Sequence, residues 1–146
     1  LSACTTVANA GEPKSEVELA REKWETANIS HYRFELFISC FCIFNENMPL
    51  VLEVKDGEAV SMEFKNGKEI DPQFLELFER YNTIEKLFAG IEKGFDFEGD
   101  DQDPADKVTV EYDATNGFPT KIDIDFIEQA IDDELYLSIS SFEALP

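Results

Sequence analysis

The chain is predicted to fold around the stretch Lys107–Phe126, KVTVEYDATNGFPTKIDIDF. Apolar residues occupy every second position in each half, which predicts two strands that press one pleated face onto a core. Asn116-Gly117 supplies the positive backbone dihedrals of a tight reversal, and Pro119, which has no amide proton, places the start of the second strand at an edge or a bulge. The stretch therefore predicts a β-hairpin. Its water-facing positions are Thr109, Glu111, Lys121 and Asp123.

The composition is that of an acidic chain of one domain's length. Its 146 residues are 43% hydrophobic and include 13 phenylalanines, which is enough for a core and argues against disorder. The 32 acidic side chains against 12 lysines and arginines give a formal charge of −20. Such a charge repels phosphate backbones, so it argues against nucleic acid as a partner. The acidity either keeps the surface solvated or serves to bind a cation or a basic partner.

The first four residues, Leu1-Ser2-Ala3-Cys4, match the lipobox that ends a bacterial lipoprotein signal peptide. Under this interpretation cleavage falls before Cys4, whose acyl chains, palmitate among them, anchor the mature chain to a membrane of the bacterial cell envelope, outside the cytoplasm. The segment Thr5–Lys14 would then be a flexible tether. The alternative is a chance match of four residues. No other stretch approaches ~18 uninterrupted apolar residues, so the sequence predicts no membrane-spanning helix.

Changes of hydrophobic period predict the elements between tether and hairpin. A capping box at Ser15 and Glu18 begins a helix with Trp24 on its buried face. From His31 to Phe44 the period is two, and past residue 37 both faces are apolar, which predicts a strand that is covered on both sides or bent. Asp56-Gly57 then joins two further strands in a hairpin.

Capping signals predict two helical segments, and one more strand follows the central hairpin. The helices begin at Asp71-Pro72 and Asn82-Thr83, and the second ends at Gly94. The last strand, around Leu137, precedes a frayed end over Phe142–Pro146. The order is helix, three strands, helices, three strands. We therefore predict residues 1–14 as signal-peptide remnant, lipobox and tether, and 15–146 as a single α+β domain, an antiparallel sheet of about six strands with helices on one face.

Cys40-Phe41-Cys42 is the most specific chemical feature of the sequence. Residues two apart in a regular strand lie about 6.6 Å apart along the chain, whereas a disulfide requires Cβ atoms about 3.8 Å apart, so a bond between them requires a bend. An oxidising compartment favours a Cys40–Cys42 disulfide. The alternatives are two reduced buried thiols, or metal or redox use. A metal site would need further ligands, and the only histidine, His31, is predicted on the opposite face.

The segment Phe95–Asp106 is predicted to be an acidic loop. Such a loop could wrap Ca²⁺, which takes six to eight oxygen ligands, but its spacing departs from the EF-hand pattern. The alternative is a solvated acidic loop. The candidate ligands are Asp96, Glu98, Asp100, Asp101, Asp103 and Asp106.

The sequence contains no recognisable catalytic motif. It has one histidine, no Gly-x-Ser-x-Gly and no phosphate-binding glycine loop. We therefore predict no catalytic residue and no cofactor, apart from the candidate calcium ion. The first functional hypothesis is a non-enzymatic binding or scaffold module for an envelope or protein partner. The others are a small carboxylate-based hydrolase or ligand-binding enzyme, and a calcium-responsive module.

Six short motifs, in order and spacing, carry a resemblance to a known family. They are Trp24, Tyr32-Arg33-Phe34, Cys40-Phe41-Cys42, Asp56-Gly57, Thr83-Ile84-Glu85-Lys86-Leu87-Phe88, and Tyr112-Asp113 with Gly117-Phe118-Pro119. Over residues 22–140 the chain resembles an uncharacterised family of bacterial lipoproteins, a domain of unknown function. The resemblance implies a location and a fold, and it implies no activity.

Overall fold

The computed structural model describes residues 13–40, 44–96, 104–126 and 134–146. Within these ranges the helices are α1 (Glu16–Ala27), α2 (Pro72–Glu79) and α3 (Ile84–Lys93), and a 3₁₀ turn spans Asn45–Asn47. The strands are β1 (His31–Ser39), β2 (Leu50–Lys55), β3 (Glu58–Phe64), β4 (Lys107–Tyr112), β5 (Pro119–Asp125) and β6 (Glu134–Ala144). The prediction of an α+β fold with one antiparallel six-stranded sheet is confirmed.

The strands lie in the order β3-β2-β1-β6-β5-β4. Two three-stranded meanders, β1 to β3 and β4 to β6, are joined by the pairing of β1 with β6, from Tyr32 opposite Ala144 to Ser39 opposite Tyr136. The first and last strands are therefore neighbours at the centre of the sheet, and β3 and β4 are its edges.

One face of the sheet is buried against the helices. Tyr32, Phe34, Leu36 and Ile38 alternate along β1 and are all buried. Trp24 of α1 packs edge-on against Tyr32, with 5.2 Å between ring centroids. The rings of Phe78 in α2 and Phe64 in β3 lie 6.0 Å apart, while the ring of Phe88 in α3 stacks on Tyr112 of β4.

The helices begin where the capping signals predict. The Ser15 hydroxyl accepts a hydrogen bond from the Glu18 amide at 3.3 Å, and the Glu18 carboxylate accepts one from the Ser15 amide, which completes the capping box. The Asp71 side chain caps α2, and Thr83 caps α3. Gly94 ends α3 with a φ of 65°.

The hairpin of residues 107–126 forms, but its connection is longer than a two-residue turn. β4 and β5 pair from Lys107 opposite Asp125 to Glu111 opposite Lys121, and the register then shifts, so that Tyr112 lies opposite Pro119. The bulge predicted at the proline is therefore present. The Asp113 carboxylate accepts hydrogen bonds from the amides of residues 115 and 116. Within Asn116-Gly117 only the glycine has a positive φ, +81°.

Two sequence predictions about strand ends are wrong. β1 ends at Ser39 rather than Phe44, and Phe44 is buried in the following turn against Phe74 and Phe78. The predicted frayed end is instead ordered strand, because β6 continues to Ala144 and the Leu145 amide donates to the His31 carbonyl at 2.8 Å.

A register shift in β1/β6 explains why the end of the chain has no regular alternation. The shift lies opposite Arg33–Glu35, and Ser141 in β6 has a φ of 52°. Bulges of this kind re-aim side chains. Phe142 consequently packs against Phe118, with 4.3 Å between ring centroids, and against Trp24.

Candidate functional site

The face of the sheet opposite the buried one is called the open face here. It is defined by exposed residues of β1, β4, β5 and β6, namely Arg33, Phe37, Thr109, Glu111, Lys121, Tyr136, Ser138 and Ser140. Phe37 lies in the half of the first strand where both faces are apolar, yet it is 39% exposed. Thr109, Glu111 and Lys121 face water as the hairpin pattern predicts.

A shallow groove of about 280 Å³ crosses the open face over β4, β5 and β6. Asp123 and Tyr136, which both line it, lie directly opposite each other on β5 and β6. The complete lining is Thr109, Glu111, Lys121, Ile122, Asp123, Tyr136, Leu137 and Ser138. The groove therefore combines one exposed aromatic ring with carboxylates and a small-residue wall.

The electrostatics of the groove favour a cation. Partial burial, together with the neighbouring Glu134 carboxylate, raises the pKa of Asp123 above its ordinary value, although Lys107 opposes the shift. The Tyr136 hydroxyl donates a hydrogen bond to Glu134, and this bond raises the pKa of Tyr136 to about 12. A positive charge placed beside Asp123 would stabilise its ionised form.

A second exposed aromatic ring lies near the groove. Phe37 pairs with Ser138, and Ser39 pairs with Tyr136 across β1 and β6. Phe37 and Tyr136 are therefore diagonal neighbours, a placement that separates side chains by about 7 to 8 Å. The serines between them leave both ring surfaces accessible from the open face.

Behind the buried face, α1, β1 and α3 are joined by a hydrogen-bonded cluster. The Glu85 carboxylate accepts hydrogen bonds from Trp24 Nε1 and from the Tyr32 hydroxyl, each at 2.9 Å. The Tyr32 hydroxyl in turn accepts the Ile84 amide proton at 2.9 Å, an amide that has no partner within its own helix. Burial, with Glu85 nearby, raises the pKa of Tyr32 well above its ordinary range. This cluster holds the two helices to the sheet.

Tyr32→Phe is expected to lower the free energy of unfolding by about 1 to 3 kcal/mol, because it leaves the buried Ile84 amide without an acceptor. Urea denaturation followed by far-UV circular dichroism measures the change. Tyr136→Phe removes an exposed hydroxyl and should change stability by less than about 0.5 kcal/mol. Equal effects of the two substitutions would contradict the role of the Tyr32 hydroxyl.

His31 at the start of β1 lies between two hydrogen-bond acceptors. Its Nε2 is 2.9 Å from the Glu53 carboxylate and its Nδ1 is 3.1 Å from the Pro146 carbonyl oxygen. A neutral imidazole donates one hydrogen bond, whereas the imidazolium donates two. The hydrogen bond to Glu53, and to a smaller extent the one to Pro146, therefore raises the pKa of His31.

The raised pKa predicts a pH-dependent stability. The folded state binds the His31 proton more tightly than the unfolded state, so the stabilisation is complete below the unfolded pKa of about 6.5 and is lost as the pH rises through the higher folded pKa. Relative to His31→Gln, the natural chain should lose melting temperature between about pH 5.5 and about pH 8. Parallel melting curves for the two proteins across this range would contradict the prediction.

The residues predicted from sequence as candidate sites are only partly within the described ranges. Cys40 is half-buried after β1, and its carbonyl accepts a hydrogen bond from the Asn45 side chain. Asp96 and Asp106 are exposed. Cys4, Cys42, Glu98, Asp100, Asp101 and Asp103 lie outside the described residues. In the part of the chain that the structure describes, no group of three or more His, Cys, Asp or Glu side chains could hold a metal ion.

A family model matches residues 16–144, from the first residue of α1 to the last residue of β6. The chain belongs to DUF6174, a family of unknown function. The DUF6174 match thus spans the helices and strands given above, including the Trp24, Tyr32 and Glu85 cluster. No curated protein and no solved structure matches the chain. Among the described residues, none of the helices is both long and apolar enough to cross a membrane.

Sequence reasoning did not single out Asp123 with Tyr136, or Glu85, as members of clusters. The sequence did contain one signal for Asp123. Aspartate is depleted in strands, yet Asp123 and Asp125 both fall on the same face of a predicted strand. Glu85 carried no such signal, since a glutamate in the first turn of a helix is ordinarily solvated.

Proposed function

We propose that this DUF6174 chain is a non-enzymatic binding module that recognises an arginine-bearing segment of a protein partner on the open face of its sheet. The observation that supports the proposal is the juxtaposition of the Asp123 carboxylate and the exposed Tyr136 ring in one groove. A formal charge of −20 over the chain favours the approach of a basic partner.

The chemistry of the groove favours arginine over lysine. A guanidinium is planar, so it can stack on an aromatic ring while it donates hydrogen bonds to a carboxylate. Tyr136 offers the ring and Asp123 the carboxylate, with Phe37 as a second ring nearby. A lysine ammonium carries the same charge but lacks the planar geometry, so its binding would depend on charge alone.

Two peptides of equal length and charge, one rich in arginine and one in lysine, test the proposal by titration at about 0.15 M salt, where long-range attraction is screened. The arginine peptide should bind more tightly, and its affinity should rise as the pH rises through the pKa of Asp123. Asp123→Asn should weaken its binding, and Tyr136→Ser should remove the preference for arginine. Glu76→Gln, which removes an exposed charge from α2, is the matched control.

Two results would contradict the proposal. The first is equal affinity for both peptides, which would indicate non-specific attraction to an acidic chain. The second is an equal loss of affinity in Asp123→Asn and Glu76→Gln.

Asp123→Asn should also melt slightly higher than the natural chain at neutral pH, because the ionised form of Asp123 is the disfavoured one.

We further propose that the module acts outside the cytoplasm, anchored to a membrane of the bacterial cell envelope through acyl chains on Cys4. The lipobox of residues 1–4 and the polar segment after it support this location. Expression of the chain behind a lipoprotein signal peptide tests this location. The natural chain should fractionate with membranes and carry acyl chains on Cys4, whereas Cys4→Ser should appear in the soluble fraction. A natural chain that is unacylated would contradict it.

A Cys40–Cys42 disulfide is part of the same proposal. Cys40 lies directly after β1, two residues before Cys42 in the sequence, and an oxidising compartment favours pairing of the two thiols. Peptide mapping without reduction should recover residues 40 and 42 in one bridged peptide. Recovery of either thiol in alkylated form would contradict the pairing.

The alternative functions have more limited support. The raised pKa of Asp123, in a groove that also contains Glu111, favours a carboxylate-based hydrolase or ligand-binding enzyme. Turnover of a glycoside, ester or phosphate substrate that Asp123→Asn abolishes would establish it.

For a calcium-responsive loop at residues 96–106, millimolar Ca²⁺ should raise the melting temperature, and an unchanged melt would remove the hypothesis.

A further inference from the structure

We infer that β4 is a self-association edge, through which two copies of the chain pair their sheets about a two-fold axis at Thr109. The strand pairs with β5 on one side, and within the described residues no strand lies on its other side. An edge strand presents every second amide and carbonyl outward, ready to pair with another strand. The occupant to which the proposal commits is a second copy of the same chain.

The sequence of β4, Lys-Val-Thr-Val-Glu over residues 107–111, is self-complementary in one register. If two such strands run antiparallel with Thr109 opposite Thr109, Lys107 of each copy faces Glu111 of the other, and Val108 faces Val110. The two-fold axis repeats each pair, as an isologous interface requires. Opposite charges directly across a strand pair stabilise it, and like charges destabilise it.

The side chains of β4 suit this pairing on both faces. Lys107, Thr109 and Glu111 are exposed on the open face, where they would form the charge pairs. Val108 and Val110 are only half-buried on the opposite face, so a neighbouring copy would cover the remaining apolar surface. Thr109 and Glu111 also line the groove at Asp123, so a neighbouring copy would lie beside the β4 side of that groove.

The other edge of the sheet lacks this complementarity. β3 contains two glutamates and no lysine or arginine. In the corresponding register centred on Ser61, Glu58 would face Phe64 and Glu63 would face Ala59. The charges therefore select β4 over β3, and they favour a closed dimer over an open chain of copies joined edge to edge.

Charge-reversal variants test the inference, first singly and then in combination. Analytical ultracentrifugation of the full chain should show a reversible dimer between about 1 μM and about 1 mM. The measurement is made at about 0.15 M salt, where repulsion between the acidic charges of the two copies is screened beyond about 8 Å. Lys107→Glu and Glu111→Lys should each weaken dimerisation at least about tenfold, since each places like charges opposite one another twice. Circular dichroism checks that both variants fold.

Two combinations should restore the dimer. Carrying both reversals in one chain recreates the opposite-charge pairs in reversed order. In a mixture of Lys107→Glu and Glu111→Lys, positions 107 and 111 carry two negative charges in one variant and two positive charges in the other. Opposite charges then face each other at both ends of the paired strands, so a heterodimer should form although neither variant dimerises well alone. A change in the monomer's own stability cannot produce this restoration.

Three results would overturn the inference. A natural chain that stays monomeric to about 1 mM would exclude the edge as a useful interface. A mixture of the single variants that stays monomeric would exclude the register. Stronger association in Lys107→Glu would show that Lys107 instead keeps edges apart, a known use of lysine on edge strands.

Discussion

Gly117→Ala is expected to lower the free energy of unfolding by about 2 to 5 kcal/mol, from backbone strain and overpacking together. The glycine has a φ of +81°, a conformation that costs an alanine energy because of its Cβ atom. That Cβ would also lie 2.3 Å from the Ala20 carbonyl oxygen and 2.8 Å from Lys23 Cβ. The first of these atoms belongs to the backbone of α1, so the loop or the helix would have to move.

Gly67→Ala is the matched control for this prediction. Gly67 has a φ of +82°, and a Cβ there would meet no atom within 4 Å. Its substitution should therefore show the conformational cost alone, about 1 to 2 kcal/mol. The difference between the two variants in urea denaturation measures the contact between the hairpin loop and α1. If both variants lose the same stability, this contact is unimportant.

Trp24→Ala is expected to cost about 3 to 5 kcal/mol, the range for truncating a large buried aromatic side chain. Trp24 is 5% exposed and its ring contacts Tyr32, Phe118 and Phe142. Its indole nitrogen also donates to Glu85, so the substitution removes one of the hydrogen bonds that hold α1 near α3.

Leu19→Ala, on the same helix, is the control because Leu19 is 49% exposed. It should change stability by less than about 0.5 kcal/mol. Far-UV circular dichroism is the appropriate measurement, since Trp24 is the only tryptophan and its fluorescence is lost in the variant. A loss below about 1 kcal/mol in Trp24→Ala would contradict its place at the centre of the core.

Local patterns in the sequence predicted the helices and strands, because the start and the buried face of each element depend on residues that are close together in the chain. Alternation in residues 31–38 identified the buried face of β1, and the caps at Ser15, Asp71 and Thr83 located three helix starts. The order of strands was not predictable in this way. Alternation shows which face of a strand is buried, and it carries no information about which strand lies beside it.

The features that sequence reasoning missed depend on long-range contacts. Phe142 lies after a bulge that interrupts the alternation, so the sequence pattern predicts a frayed end there and not the contact with Trp24. Gly117 was recognised for its positive φ, but its approach to Ala20 depends on the docking of a helix almost one hundred residues earlier. The groove at Asp123 and Tyr136 required the pairing of β5 with β6, which no local pattern indicates.

The central pairing of β1 with β6 has a consequence for synthesis of the chain. Translation proceeds from the amino end, so the partner of the first strand is made last, after more than 90 intervening residues. Until β6 has been made, the inner edge of β1 has no partner, and non-local pairing of this kind forms slowly. Chains that lack β6 should therefore not complete the sheet, and the core that both halves share should form only after the last strand has been made.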